Sequence, residues 1–91
     1  MPIKDLEFYK VVKYPVITEK SILLLEKEGK ITLVVDKKVN KSLIKRVIED
    51  RFQVKVKKVN VINTSKGVKK AIITFYNHED AMKVATSLGI L

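Results

Sequence analysis

Cysteine is absent from this sequence of 91 residues, and histidine occurs once, at His78. Without thiols the chain can form neither a disulfide nor a thiolate metal site, and a single histidine leaves a histidine-based metal site without partners. We therefore expect no bound metal and no cofactor.

Long apolar runs are also missing. No run approaches the roughly 20 residues that a membrane span requires. Acidic residues occur early, at Asp5 and Glu7, so the first residues do not have the form of a signal peptide. These features predict a soluble, intracellular protein with no membrane insertion.

Groups that could form an active site are few and poorly placed. His78 lies among polar residues in the first turn of a predicted helix, which indicates a surface position. Glu49 and Asp50 are adjacent in a predicted helix, and adjacent helical side chains point about 100° apart, so they do not face one another. Gly67 stands outside any phosphate-binding glycine motif. We expect no catalytic residues and no enzymatic activity.

Positive charge dominates the composition, with 19 basic residues against 10 acidic ones and a net charge of +9. Only Arg46 and Arg51 are arginine, so the other 17 basic residues are lysine. Lysine acts as a point charge suited to phosphate, whereas bidentate reading of base edges favours arginine. The balance favours recognition of a polyanion through its backbone and shape.

The charge is concentrated in residues 51–76, where seven basic residues occur with no acidic one. Apolar residues alternate with polar ones here, as in two half-buried strands. The phase slips at Lys57-Lys58, which predicts a β-bulge that turns both ammonium groups outward. Residues 63–67 have turn chemistry, with Gly67 able to adopt a positive φ. The stretch is predicted to be a basic β-hairpin.

The remaining elements follow from periodicity, capping residues and glycine. Residues 1–8 lack a pattern and are predicted to be a loose or docked tail. The whole chain is predicted to form one domain, 1–91, of the α+β class, with a four-stranded sheet, helices packed on it and the order β-α-β-α-β-β-α. Outside the hairpin the elements are a strand at Tyr9–Tyr14, a helix from Thr18 to Gly29, a strand at Ile31–Val35, a helix from Asn40 to Phe52 and a helix from Asn77 to Gly89.

One alternative is a stand-alone module of the RNA-recognition-motif type that binds single-stranded RNA. Residues 67–85 look like the third strand and following helix of that family, and Phe75 could take the last aromatic position of its strand motif. The two positions that should carry stacking aromatics fall on Lys70 and Ile72. Base stacking is disfavoured, and contact between lysine and phosphate remains the better hypothesis.

Two segments of the sequence resemble the family of universal large-subunit ribosomal protein twenty-three. They are VVKYPVITEKS at 11–21 and NKSLIKRVIEDRFQVKVKKVNVINTSKGVKKAIITF at 40–75. The hairpin that leaves through residues 69–71 is one specific part of the resemblance. The other is a basic-x-Pro-x-x-Thr-Glu-Lys pattern, formed here by Lys13, Pro15, Thr18, Glu19 and Lys20.

The resemblance implies an antiparallel sheet and a structural role in the large ribosomal subunit. The partners would be large-subunit ribosomal RNA, neighbouring proteins at the polypeptide exit tunnel, and nascent-chain factors such as the signal recognition particle. Glu19 matches the acidic residue that helps dock such factors. The positions that would contact RNA are Lys13, Lys20, Lys57, Lys58, Lys66, Lys69 and Lys70.

The resemblance also implies an archaeal type of this family. Bacterial members carry a longer hairpin that reaches into the tunnel, whereas residues 64–67 make a short linker. The long basic extension at the N-terminus of eukaryotic members has no counterpart in the sequence. The expected protein is a compact, cytoplasmic ribosomal component.

Overall fold

A computed structural model describes residues 3–64 and 66–90, with side chains from residue 7 onward. From the first strand on, the element order is the predicted β-α-β-α-β-β-α, and one helix precedes it. The elements are α1 (Ile3–Val11), β1 (Val12–Pro15), α2 (Glu19–Glu28), β2 (Lys30–Val35), α3 (Lys41–Phe52), β3 (Val56–Asn63), β4 (Lys69–Phe75) and α4 (His78–Ser87).

The four strands form one antiparallel sheet with the order β1-β2-β4-β3. The predicted α+β class and the four-stranded antiparallel sheet are therefore confirmed. The two most apolar strands, β2 and β4, are central, which explains why every residue from Ile31 to Val35 is buried. Within the described residues no helix is long and apolar enough to cross a membrane.

The two faces of the sheet differ in their side chains. One face packs against buried residues of α1, α3 and α4, and its central residues are Ile31, Leu33, Ala71 and Ile73. Because side chains alternate along a strand, the residues between them lie on the opposite face. We call this second surface the open face; on β2 and β4 it carries Lys30, Thr32, Val34, Lys70, Ile72 and Thr74.

The predicted hairpin and its bulge are confirmed. Strands β3 and β4 pair directly, and Val56 lies opposite Phe75 while Lys58 lies opposite Thr74. Lys57 is therefore the extra residue on β3, and both bulge lysines are exposed. In the turn, Gly67 has a φ of 75°, as its turn position requires.

The N-terminal segment differs from its prediction. Residues 3–8, predicted as a tail, belong to α1, and the predicted strand at Tyr9–Tyr14 begins only at Val12; residues 1 and 2 lie outside the described part. Phe8 and Val11 are both buried in the core. Their i, i+3 spacing places them on one helical face against α3, so tertiary packing overrides the strand preference of the valine pair.

Reciprocal hydrogen bonds fix the segment between β1 and α2. The Thr18 backbone N–H donates to Ser21 Oγ at 2.8 Å, and the Ser21 N–H donates to Thr18 Oγ1 at 3.2 Å. Ser21 Oγ also lies 2.8 Å from the Val16 carbonyl oxygen, to which it can donate. Thr18 is the predicted N-cap, and this capping box sets the direction in which α2 presents its first residues, Glu19 and Lys20.

Replacing Ser21 with alanine is expected to lower the free energy of unfolding by about 1–2 kcal/mol, because a buried cap residue and its hydrogen bonds are lost. Urea unfolding of the purified variant measures this change. Ser42→Ala is the matched control, since Ser42 is exposed near the start of α3 and should change stability by less than about 0.5 kcal/mol. Equal losses in the two variants would contradict the role given to the capping box.

Candidate nucleic-acid interface

The seven lysines predicted to contact RNA fall into two groups. Lys57 and Lys58 lie at the bulge, near the start of β3. The other five surround the opposite end of the hairpin: Lys13 on β1, Lys20 on α2, Lys66 in the turn, and Lys69 and Lys70 on β4. Asn63 lies five positions after Lys58 on β3, a distance of about 17 Å along an extended strand. The structure therefore offers two separate cationic areas.

The larger group surrounds a hollow of about 520 Å³ between the β1–α2 segment and the tip of the hairpin. We call it the central hollow. Its lining is apolar except for a threonine, a tyrosine and two lysines. The lining residues are Tyr14, Pro15, Val16, Ile17, Val34, Thr64, Lys66, Val68 and Lys70.

Two smaller hollows share residues with the central one. A hollow of about 170 Å³ includes Lys20 and Lys70 together with Thr32 and Ile72 of the open face. The other, of about 160 Å³, brings together the side chains of Lys13, Lys37 and Lys69. We call the surface around these three hollows the basic face; its lysines are Lys13, Lys20, Lys37, Lys66, Lys69 and Lys70.

The described side chains of the basic face carry positive charge without acidic neighbours. None of the described residues that line its three hollows is an aspartate or a glutamate. Clustered cations without intervening anions produce a positive potential that attracts polyanions and raises their association rate. By contrast, Lys30, on β2, forms an ion pair with Glu28 at 3.4 Å.

Sequence reasoning missed Lys37, which follows β2 in a short turn. The antiparallel register places Val35, at the end of β2, opposite Lys69 at the start of β4. This pairing carries Lys37 toward the turn of the hairpin. A prediction that paired the apolar strand β2 with β4, rather than pairing only the two hairpin strands, could have found it.

Lys69 differs from the other predicted lysines because its ammonium group already has protein partners. Lys69 Nζ donates a hydrogen bond to the Val39 carbonyl oxygen and lies 3.5 Å from the Lys37 carbonyl oxygen. Its side chain therefore ties the hairpin to the loop between β2 and α3. In this arrangement Lys69 positions the turn end of the hairpin and adds positive charge to the basic face.

Replacing Lys69 with methionine is expected to lower the free energy of unfolding by about 1–2 kcal/mol, since a charge-assisted hydrogen bond is lost from a half-buried position. Lys66→Met is the control. Lys66 is exposed and has no hydrogen bond among the described residues, so its loss should change stability by less than about 0.5 kcal/mol. Chemical denaturation compares the two variants, and an effect at Lys66 as large as that at Lys69 would rule out the anchoring role.

On its two central strands the open face lacks the rings that single-strand stacking requires. On the central strands β2 and β4, its described side chains are lysine, threonine, valine and isoleucine, with no aromatic ring. Lys70 and Ile72, the two positions at which the RNA-recognition motif would carry stacking aromatics, lie on this face opposite Val34 and Thr32. Among the described residues that line the central hollow, Tyr14 on the edge strand β1 has the one aromatic ring; sequence reasoning assigned it no role.

Glu19 and His78 lie outside the three hollows. Glu19 is the exposed first residue of α2, beside Lys20. His78 Nε2 lies 3.1 Å from the Glu26 carbonyl oxygen, and this contact connects the start of α4 to the end of α2. Across the described residues no group of three or more histidine, aspartate and glutamate side chains could hold a metal ion.

Comparison with known proteins decides the family. Residues 10–88 match the family model described as ribosomal protein L23. The chain belongs to the ribosomal protein L23 family. It is also 40% identical, over 85 residues, to the large ribosomal subunit protein uL23 of Methanococcus aeolicus, and the match covers 93% of this chain and 99% of that protein.

Membership of the L23 family confirms several predictions. The chain is a structural constituent of the ribosome, a cytoplasmic particle, and it serves translation as a non-enzymatic component. Its similarity to an archaeal uL23 over nearly the full length of both chains also confirms the compact archaeal type. The matched range includes β1, the hairpin and all six lysines of the basic face.

Proposed function

We propose that this protein binds large-subunit ribosomal RNA beside the polypeptide exit tunnel, and that the basic face contacts the RNA phosphates. The observation that carries the proposal is the gathering of six lysines around three adjoining hollows, none of whose described lining residues is acidic. Of these lysines, Lys13, Lys20, Lys66 and Lys70 make direct phosphate contacts, while Lys69 holds the turn end of the hairpin.

The two cationic areas favour a folded RNA. Lys57 and Lys58 form a second contact, about 17 Å along β3 from the hairpin end. A folded RNA can hold two segments of its backbone at a fixed separation, whereas a flexible strand must lose conformational entropy to do so. Recognition then depends on shape and phosphate position, which suits a surface made of lysine rather than arginine.

The exposed side of α2 is proposed to face away from the RNA and to help dock nascent-chain factors such as the signal recognition particle. Glu19 lies four residues before Leu23, so the two share one helical face. Leu23 and Ile17 are both exposed. A carboxylate beside apolar side chains, held in place by the capping box, offers a factor both a charge and an apolar contact. Neighbouring large-subunit proteins at the tunnel exit would complete this site.

The proposal is tested by measuring binding to fragments of large-subunit ribosomal RNA and to an unstructured RNA of equal length, each across a salt series. We expect one folded fragment to bind more tightly than the unstructured RNA. The slope of log K against log salt should be roughly −3 to −5, because each phosphate contact contributes about −0.9. Equal binding of both RNAs with a shallow slope would overturn the proposal.

A further inference from the structure

The central hollow combines an exposed aromatic ring with two lysines. Tyr14 is 55% exposed, and among the described residues it has neither a hydrogen-bond partner nor a neighbouring ring. The register aligns Tyr14 with Val34, and Val34 with Lys70, in one row across three strands. Adjacent strands are about 4.8 Å apart, so the backbones of Tyr14 and Lys70 are separated by about 10 Å. Val34 is buried between them and forms the floor.

These dimensions and side chains restrict what the hollow can bind. Lys66 and Lys70 favour an anionic group, since none of the described residues in the lining is acidic and could balance their charges. A simple inorganic anion would make no favourable contact with the valine, isoleucine and tyrosine side chains that line the rest of the hollow. A volume of about 520 Å³ suits an organic group of the size that protein pockets commonly hold. The expected occupant has a flat apolar part and an attached negative charge.

We propose that the central hollow receives one unpaired nucleotide of the bound RNA, with its base against the Tyr14 ring and its flanking phosphates at Lys66 and Lys70. This inference rests on the proposed function, because the same basic face must lie on RNA. It differs from single-strand binding across the sheet, since a single ring on the edge strand accommodates one base. Stacking on tyrosine tolerates any base, so the site selects an unpaired nucleotide rather than a particular sequence.

The test uses two synthetic RNA hairpins that differ only in one bulged nucleotide, which is 2-aminopurine, in the middle of the stem. Both hairpins carry the same dye at one end, so fluorescence anisotropy at constant salt gives the affinity of each hairpin, and the 2-aminopurine signal of the bulged hairpin reports stacking of its bulged base. We expect the bulged hairpin to bind roughly 10-fold more tightly, within the range measured for stacking of one base on an aromatic side chain. The 2-aminopurine fluorescence should fall when the complex forms.

Variants of Tyr14 separate this inference from the proposed function. Tyr14→Leu should remove the preference for the bulged hairpin and restore the fluorescence, while leaving affinity for the fully paired hairpin within about twofold. Tyr14→Phe should keep the preference, because the ring is retained. A melting curve for each variant shows that the fold is intact, as expected for an exposed side chain.

Equal affinity for the two hairpins, or an unchanged preference in Tyr14→Leu, would overturn the inference. A third contradicting result would be Tyr14-dependent binding of an acidic peptide of alternating glutamate and leucine, if the bulged RNA shows no such dependence. If the preference for folded ribosomal RNA and its steep salt dependence survive any of these results, the proposed function stands and only the nucleotide site fails. A shallow salt dependence of RNA binding by the unmodified protein would instead contradict the proposed function.

Discussion

Replacing Phe8 with alanine is expected to lower the free energy of unfolding by about 3–4 kcal/mol, although the residue lies in a segment that the sequence predicts to be a tail. Phe8 is only 3% exposed. Its ring packs edge-on against Phe52, with the centroids 5.5 Å apart, and lies 5.7 Å from the guanidinium carbon of Arg51. Deleting the ring leaves a cavity between α1 and α3 and removes the aromatic contact.

For a domain of this size the loss corresponds to a fall in melting temperature of roughly 12–30 °C. Tyr9→Ala is the matched control, since it removes a similar ring from the next position of the same helix. Tyr9 is 58% exposed, so its loss should lower stability by less than about 1 kcal/mol. Thermal unfolding followed by circular dichroism compares the variants. Small and equal effects would mean that α1 does not contribute to the core.

Changing both Lys66 and Lys70 to glutamine is expected to reduce affinity for the preferred ribosomal RNA fragment about 60-fold at 0.1 M salt. Each phosphate contact contributes about 0.9 to the slope of log K against log salt, so removing two contacts should flatten the slope by about 1.8. A salt concentration of 0.1 M lies one decade below 1 M, the reference at which the electrostatic contribution vanishes. A slope change of about 1.8 over that decade corresponds to a loss of about 1.8 log units in affinity, or about 60-fold. Filter binding or fluorescence anisotropy across the salt series measures both quantities.

The control for this pair is Lys45→Gln with Lys83→Gln, which changes the net charge by the same amount. Lys45 on α3 and Lys83 on α4 are exposed on helices that cover the other side of the sheet. We expect the control to change affinity less than threefold, because only long-range attraction is altered and salt screens it. Similar losses in both double variants would indicate that net charge, rather than the basic face, determines binding.

The sequence was sufficient to predict the hairpin because its signals are local. Alternating valines define the strands, a slip of one residue at Lys57-Lys58 marks the bulge, and Gly67 marks the turn. The starts of α2 and α3 could be predicted equally well. Thr18 and Asn40 are N-cap residues, and their hydrogen bonds involve only the first turn of their own helix. Local patterns of this kind do not depend on how the rest of the chain packs.

The features that the sequence did not reveal depend on contacts between distant residues. α1 is helical because Phe8 packs on Phe52, and the sequence between them gives no sign of that contact. Lys37 and Tyr14 join the basic face because β2 separates β1 from β4, a sheet order that periodicity cannot specify. Arg51 was grouped with the hairpin by charge, yet it lies in α3 with its guanidinium near two phenylalanine rings.

The measurement that most directly tests the basic face is chemical footprinting of every lysine at once. The protein is acetylated briefly, alone and bound to the ribosomal RNA fragment, and the modification of each lysine is quantified by mass spectrometry. We expect strong protection by RNA at Lys13, Lys20, Lys57, Lys58, Lys66 and Lys70. Modification should be unchanged on the helical side, at Lys41, Lys45 and Lys83. Protection of the helical lysines with full modification of Lys66 and Lys70 would show that the basic face does not bind the RNA and would place the RNA on the opposite side of the molecule.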